Sequence, residues 1–119
     1  MSPMKIIQKI KDAYVMSHAK AIKLPEFKDE GKVRLNVVFS GKVQNVGFRL
    51  ELKELADRIG LTGWTKNMPN GDVMAEFQGP MDKIQFIIGA MHSLKRAKVK
   101  NINCTERYVV GYENDFQII

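Results

Sequence analysis

Nine consecutive residues, Gly41-Lys42-Val43-Gln44-Asn45-Val46-Gly47-Phe48-Arg49, have the types and spacing from which an anion site can be built. They lie between a strand-like and a helix-like stretch. The first backbone N–H groups of a helix have no partner within the helix, and its dipole favours negative charge at that end. A helix start of this kind therefore accepts phosphate readily. Gly41 and Gly47 allow a tight turn and close approach of the backbone to a ligand. Arg49 adds a permanent cation whose donor fork matches phosphate oxygens. The spacing is neither that of a Walker loop nor that of a dinucleotide fingerprint. The chemistry indicated is the grip of a phosphoryl group by amides and one guanidinium.

The elements around this segment follow from hydrophobic period. Val33, Leu35, Val37 and Phe39 alternate with Arg34, Asn36 and Ser40, as in a strand. Leu52, Leu55, Ala56 and Ile59 mark one face of a helix that Gly60 can close. Residues 61–68 predict a second strand, Pro69-Asn70-Gly71 a hairpin turn, and Val73, Ala75 and Phe77 a third strand. Gly79-Pro80 opens a second helix with Ile84, Ile87, Ile88 and Met91 on its apolar face. Residues 99–105 and 115–119 predict two further strands. The order strand, helix, strand, strand, helix, strand is the split βαβ, or ferredoxin-like, α+β arrangement. It predicts an antiparallel sheet with both helices on one face and the other face wet.

The first 31 residues stand apart from this pattern. Ser2-Pro3 reads as a helix start, and Ile6, Ile7, Ile10, Ala13 and Tyr14 recur at helical spacing. Pro25 sets the latest end of that helix, and residues 26–32 read as a charged linker. The expected division is an N-terminal helical extension over 1–31 and one domain over 32–119. The helix has three possible supports: the same domain, a partner or a membrane surface.

The loop segment resembles the acylphosphatase signature, Gly-x-Val-Gln-Gly-Val-x-Phe/Tyr-Arg. A second stretch, Gly63-Trp64-Thr65-Lys66-Asn67-Met68-Pro69-Asn70-Gly71-Asp72-Val73, is similar to that family's Gly-Trp-x-x-Asn…Gly-x-Val hairpin. The resemblance extends over residues 33–119. It implies hydrolysis of small-molecule acyl phosphates to a carboxylate and inorganic phosphate, with no cofactor, metal or covalent intermediate. By the same resemblance Arg49 binds the phosphoryl group, the amides of Gln44, Asn45, Val46, Gly47 and Phe48 complete the cradle, and Asn67 orients the attacking water. The chemistry is coherent, because phosphoryl transfer to water needs charge stabilisation and an in-line nucleophile. One departure is Asn45, which stands where the family loop usually has Gly. If that position is left-handed, Asn is the side chain that tolerates it best.

The composition is compatible with this reading and excludes others. The 119 residues carry a formal charge of +6, with 45% hydrophobic and 27% charged side chains, the balance of one ordinary globular domain. No apolar run reaches the ~20 residues of a membrane span, and Lys9, Lys11 and Asp12 break any signal-peptide core, which points to a cytoplasmic location. The single Cys104 excludes an internal disulfide and is expected to pack as a small apolar group. His18 and His92 lack ligand-spaced partners, so no metal is expected. Trp64 is expected in the core. Lys95, Arg96, Lys98 and Lys100 form a basic run, expected to be a solvated surface; the aromatic octamer of RNA-recognition motifs is missing, which weighs against nucleic acid. The alternative function is a non-catalytic anion- or nucleic-acid-binding module that retains the loop.

Overall fold

A computed structural model describes residues 2–119. Helix α1 covers Pro3–Ala21, capped by Ser2, whose Oγ accepts a hydrogen bond from the Lys5 amide at 3.3 Å. The remaining elements are β1 (Val33–Lys42), α2 (Phe48–Ile59), β2 (Thr62–Asn67), β3 (Val73–Gly79), α3 (Met81–His92), β4 (Lys98–Arg107) and β5 (Phe116–Ile118). The sheet order is β4-β1-β3-β2-β5. Every neighbouring pair is antiparallel except β2 and β5, which run parallel. The split βαβ arrangement expected from hydrophobic period is present, with β5 added to the edge farthest from β4.

The core lies between α2, α3 and one face of the sheet. Leu52, Leu55, Ala56 and Ile59 of α2 and Ile84, Ile87 and Met91 of α3 are buried there against Val37, Phe39, Ala75, Phe77 and Phe116. Phe77 and Phe116 stack at 5.5 Å, which ties the short β5 into the core. The linker is more than a charged tether. Phe27 packs against the core and meets the edge of Phe86 at 5.6 Å, and Leu24, just before the linker, also packs there. Asp82, in the first turn of α3, accepts hydrogen bonds from the amides of Lys28 and Asp29. Those amides, led by that of Asp29, hold its carboxyl below the usual aspartate range.

Three expectations need correction. The sheet face away from the helices is not simply wet. The segment between β4 and β5 folds over part of it, and Arg34, Asn36 and Gln78 are buried beneath. Arg34 donates to Glu76 and, through both terminal nitrogens, to Glu113. Gln78 exchanges two hydrogen bonds with the backbone of Val110. Trp64 is half-buried on this same face, opposite Glu76, and is not part of the core. The reason is strand parity: its neighbour Thr65 takes the helix-facing position. Cys104 is exposed, because it sits on the edge strand β4, where Ile102 packs against the core and the positions beyond it do not.

Helix α1 packs on α2, the same-domain support among the three considered. The buried residues are Val15 and Ala19. Ile6, Ile7, Ile10 and Tyr14, the stripe recognised by spacing, are exposed. The docked face therefore belongs to the C-terminal half of the helix.

Candidate active site

The strand β1 ends and α2 begins within five residues, and the loop between them is anchored at both ends. Val43 and Phe48 are buried, and Phe48 packs edge-on against Phe39 at 5.1 Å. Between these anchors Asn45 takes φ 62°, the only left-handed non-glycine among the described residues. The position is thus left-handed, on a residue type that tolerates it. Gly47, the residue before α2, has φ 73° and no side-chain cap. Among the described residues, no backbone or side-chain acceptor takes a hydrogen bond from the amides of Gln44 through Phe48. These donors lie at the start of α2, whose dipole adds positive potential there.

A cleft of about 930 Å³ opens at this loop. Asn45, Val46, Gly47, Phe48 and Arg49 line it, together with Asn67 from the end of β2. Arg49 is half-buried in the first turn of α2, and Asn67 is exposed. Neither side chain is engaged in a hydrogen bond or ion pair with another described residue. Gln44 is the one expected loop residue that does not line the cleft. Its side chain turns to the β2–β3 hairpin, where Nε2 donates to the carbonyls of Met68 and Asp72 at 2.8 and 2.9 Å. It thereby fixes the loop against the hairpin that carries Asn67.

Sequence reasoning missed Arg96 and Glu51. Arg96 belongs to the basic run expected to be solvated, yet it reaches across from the segment after α3. Its Nε donates to the Val46 carbonyl at 2.6 Å and one terminal nitrogen to the Gly47 carbonyl at 3.3 Å. The same nitrogen pairs with Glu51 at 2.6 Å. Glu51 is completely buried, and its other oxygen lies 2.9 Å from His18 Nδ1 of α1. Pairing with Arg96 also offsets a negative charge that would otherwise sit one turn from the loop amides. The only sequence signal was an acid in the first turn of an amphipathic helix, which gave no hint of a partner 45 residues away.

Among the described residues, no group of three or more His, Cys, Asp or Glu side chains converges closely enough to hold a metal ion. No helix among the described residues is long and apolar enough to cross a membrane.

Comparison with known proteins bears on the family and the fold. A family model described as acylphosphatase matches residues 35–118. An acylphosphatase of Methanospirillum hungatei is 32% identical over 81 residues, covering 66% of this chain and 89% of that protein. The solved structure of an acylphosphatase from Coxiella burnetii is 35% identical, with a TM-score of 0.68, over 74% of this chain and 93% of the other. The crystal structure of acylphosphatase from Bacillus subtilis gives a TM-score of 0.69 at 31% identity, over 73% and 98%.

Proposed function

The chain belongs to the acylphosphatase family, enzymes that hydrolyse acyl phosphates, and from that premise we propose how its own residues carry the reaction. The phosphoryl group rests on the amides of Gln44, Asn45, Val46, Gly47 and Phe48. Arg49 spans its oxygens and stabilises the charge that spreads over them in the transition state. Asn67 orients a water in line with the bond to be broken. The water oxygen forms a bond to phosphorus as the bond from phosphorus to the acyl oxygen breaks. The carboxylate leaves, and the water's proton passes to a phosphoryl oxygen, giving inorganic phosphate. A carboxylate is a good leaving group, so the site needs no strong general acid. The catalytic unit in this reading is residues 32–119, with residues 1–31 appended to it.

The observation that carries the proposal is the convergence of Arg49, Asn67 and the loop from Asn45 to Phe48 on one cleft. The choice of an enzyme over a bare anion-binding module rests on Asn67, because a module that only holds phosphate has no use for a water-orienting amide opposite the loop. Gln44 and Arg96 act as positioning residues. Their side chains hold the loop from its two sides.

The test is hydrolysis of acyl phosphates by the wild type, Arg49→Ala and Asn67→Ala. Loss of a principal electrostatic donor lowers kcat by about 10²–10³-fold, and Arg49→Ala should do so without unfolding the protein. Asn67→Ala should lower kcat while inhibition by inorganic phosphate is retained. Wild-type turnover in Arg49→Ala would refute the clamp, and wild-type turnover in Asn67→Ala would refute the water-orienting role.

A further inference from the structure

The cleft has two walls of different origin. One is the loop with Asn67, inside the family-matched residues 35–118. The other is α1, outside them, which contributes the polar Gln8, Lys11 and Asp12 and the apolar or aromatic Ile10, Tyr14 and Val15. The two walls touch: a Cβ placed on Gly47 would come within 2.5 Å of Val15 Cγ2. Helix α1 is also tied down beyond the cleft. Arg58 donates to the carbonyls of Ala19 and Ile22 at 2.7 and 2.8 Å, and His18 meets Glu51. The wall is therefore seated on the loop and on α2, and the cleft between is a built feature of this chain.

Ile10 and Tyr14 are 65% and 63% exposed, so packing of the core does not account for an isoleucine and a tyrosine on the cleft side of α1. In the reading above, the phosphoryl end of the substrate is held at the loop. Its acyl group must then extend away from the loop into the remaining volume, where α1 is the facing surface. Resting on that reading, we infer that α1 recognises the acyl group and selects acyl phosphates with a bulky apolar or aromatic acyl chain. Ile10 and Tyr14 supply the contact surface. A small acyl group leaves this surface unused, whereas a larger one removes apolar area from water on both partners.

Two probes separate these cases: benzoyl phosphate, with a ring able to reach α1, and acetyl phosphate, with a single methyl group. The measurement is kcat/KM for each with the wild type and with the double variant Ile10→Ala/Tyr14→Ala. Both side chains are exposed, so the variant should fold, and circular dichroism checks that it does. The ratio of benzoyl to acetyl phosphate should fall by about 10-fold, mostly through KM for benzoyl phosphate. Tyr14→Phe keeps the ring and should keep most of the ratio. An unchanged ratio in the double variant, whether both rates persist or both fall together, would overturn the inference and leave the loop chemistry standing. If the wild type hydrolysed neither probe, the loop reading would fail first, and this inference with it.

Discussion

Helices α1 and α2 lie side by side, and both face the same cleft, but they are held in opposite ways. Helix α2 buries Phe48, Leu52, Leu55, Ala56 and Ile59 along its length, and its first turn is bolted into the core. Helix α1 is longer yet buries only Val15 and Ala19. Much of its attachment is polar: Arg58 to two carbonyls and His18 to Glu51. The difference matches the two tasks proposed for them. A phosphate cradle works by preorganisation, since its donors must not reorganise as charge develops. A wall that meets a variable acyl group tolerates a looser seat. Glu51 links the two regions, with one oxygen on Arg96, which holds the loop, and the other on His18 of α1.

The strongest way to break this comparison is Arg96→Ala. It leaves the completely buried Glu51 without its arginine partner and removes a donor from the carbonyls of Val46 and Gly47. Removing one partner of a buried ion pair costs about 3–5 kcal/mol, and the partial exposure of Arg96 places the expected loss nearer 2 kcal/mol. Urea unfolding should show that loss, and kcat should fall with it because the loop loses its outer brace. If stability fell and kcat did not, Arg96 would be a fold residue with no positioning role.

A smaller effect is expected for Gly47→Ala, which tests whether α1 truly rests on the loop. The added methyl meets Val15 Cγ2 and must adopt φ 73°. A left-handed alanine costs about 1–2 kcal/mol, to which displacement of α1 adds. The sharper outcome is the partial relief expected from Val15→Ala in the same chain. The absence of such relief would mean that strain at Gly47, not contact with α1, sets the cost.

The smallest effect concerns a region remote from the cleft and serves as the contrast. Burial alone would push the Glu76 carboxyl up, but hydrogen bonds from Arg34 and Asn36 and the nearby Arg107 hold it below its ordinary value of 4.5. As pH falls below 4.5, the unfolded chain takes up the proton before the folded one, so stability should decline until the folded group is also protonated. Glu76→Gln should flatten this part of the acid limb by less than about 1 kcal/mol and leave kcat unchanged. An unaltered acid limb would show that Glu76 plays no part in it.

The loop was legible in the sequence because its demands are local. Left-handed positions call for Gly or Asn, a helix start supplies donors, and a guanidinium placed two residues past Gly47 lands on the first turn. The strands and the faces of α2 and α3 were legible for the same reason, since periods of two and 3.6 are properties of the chain itself. Trp64 was misread because period alone does not say which side of the sheet the helices cover. Cys104 was misread because nothing local marks β4 as the edge. Arg96 was misread because an exposed run and a long-range brace have the same composition.

The sequence by itself determined the order of elements, the position of the loop and the residue types in it, because torsional preference and hydrophobic period act over a few residues. Only the tertiary structure decided that Gln44 ties the loop to the hairpin carrying Asn67, that Arg96 holds it from the other side, and that α1 walls the cleft. Those contacts join residues 24 to 50 positions apart, and no local property of a chain encodes which distant partner a buried carboxylate or carbonyl will meet. They follow from desolvation: once packing buries Glu51, a partner is required, and the fold determines which cation can reach it.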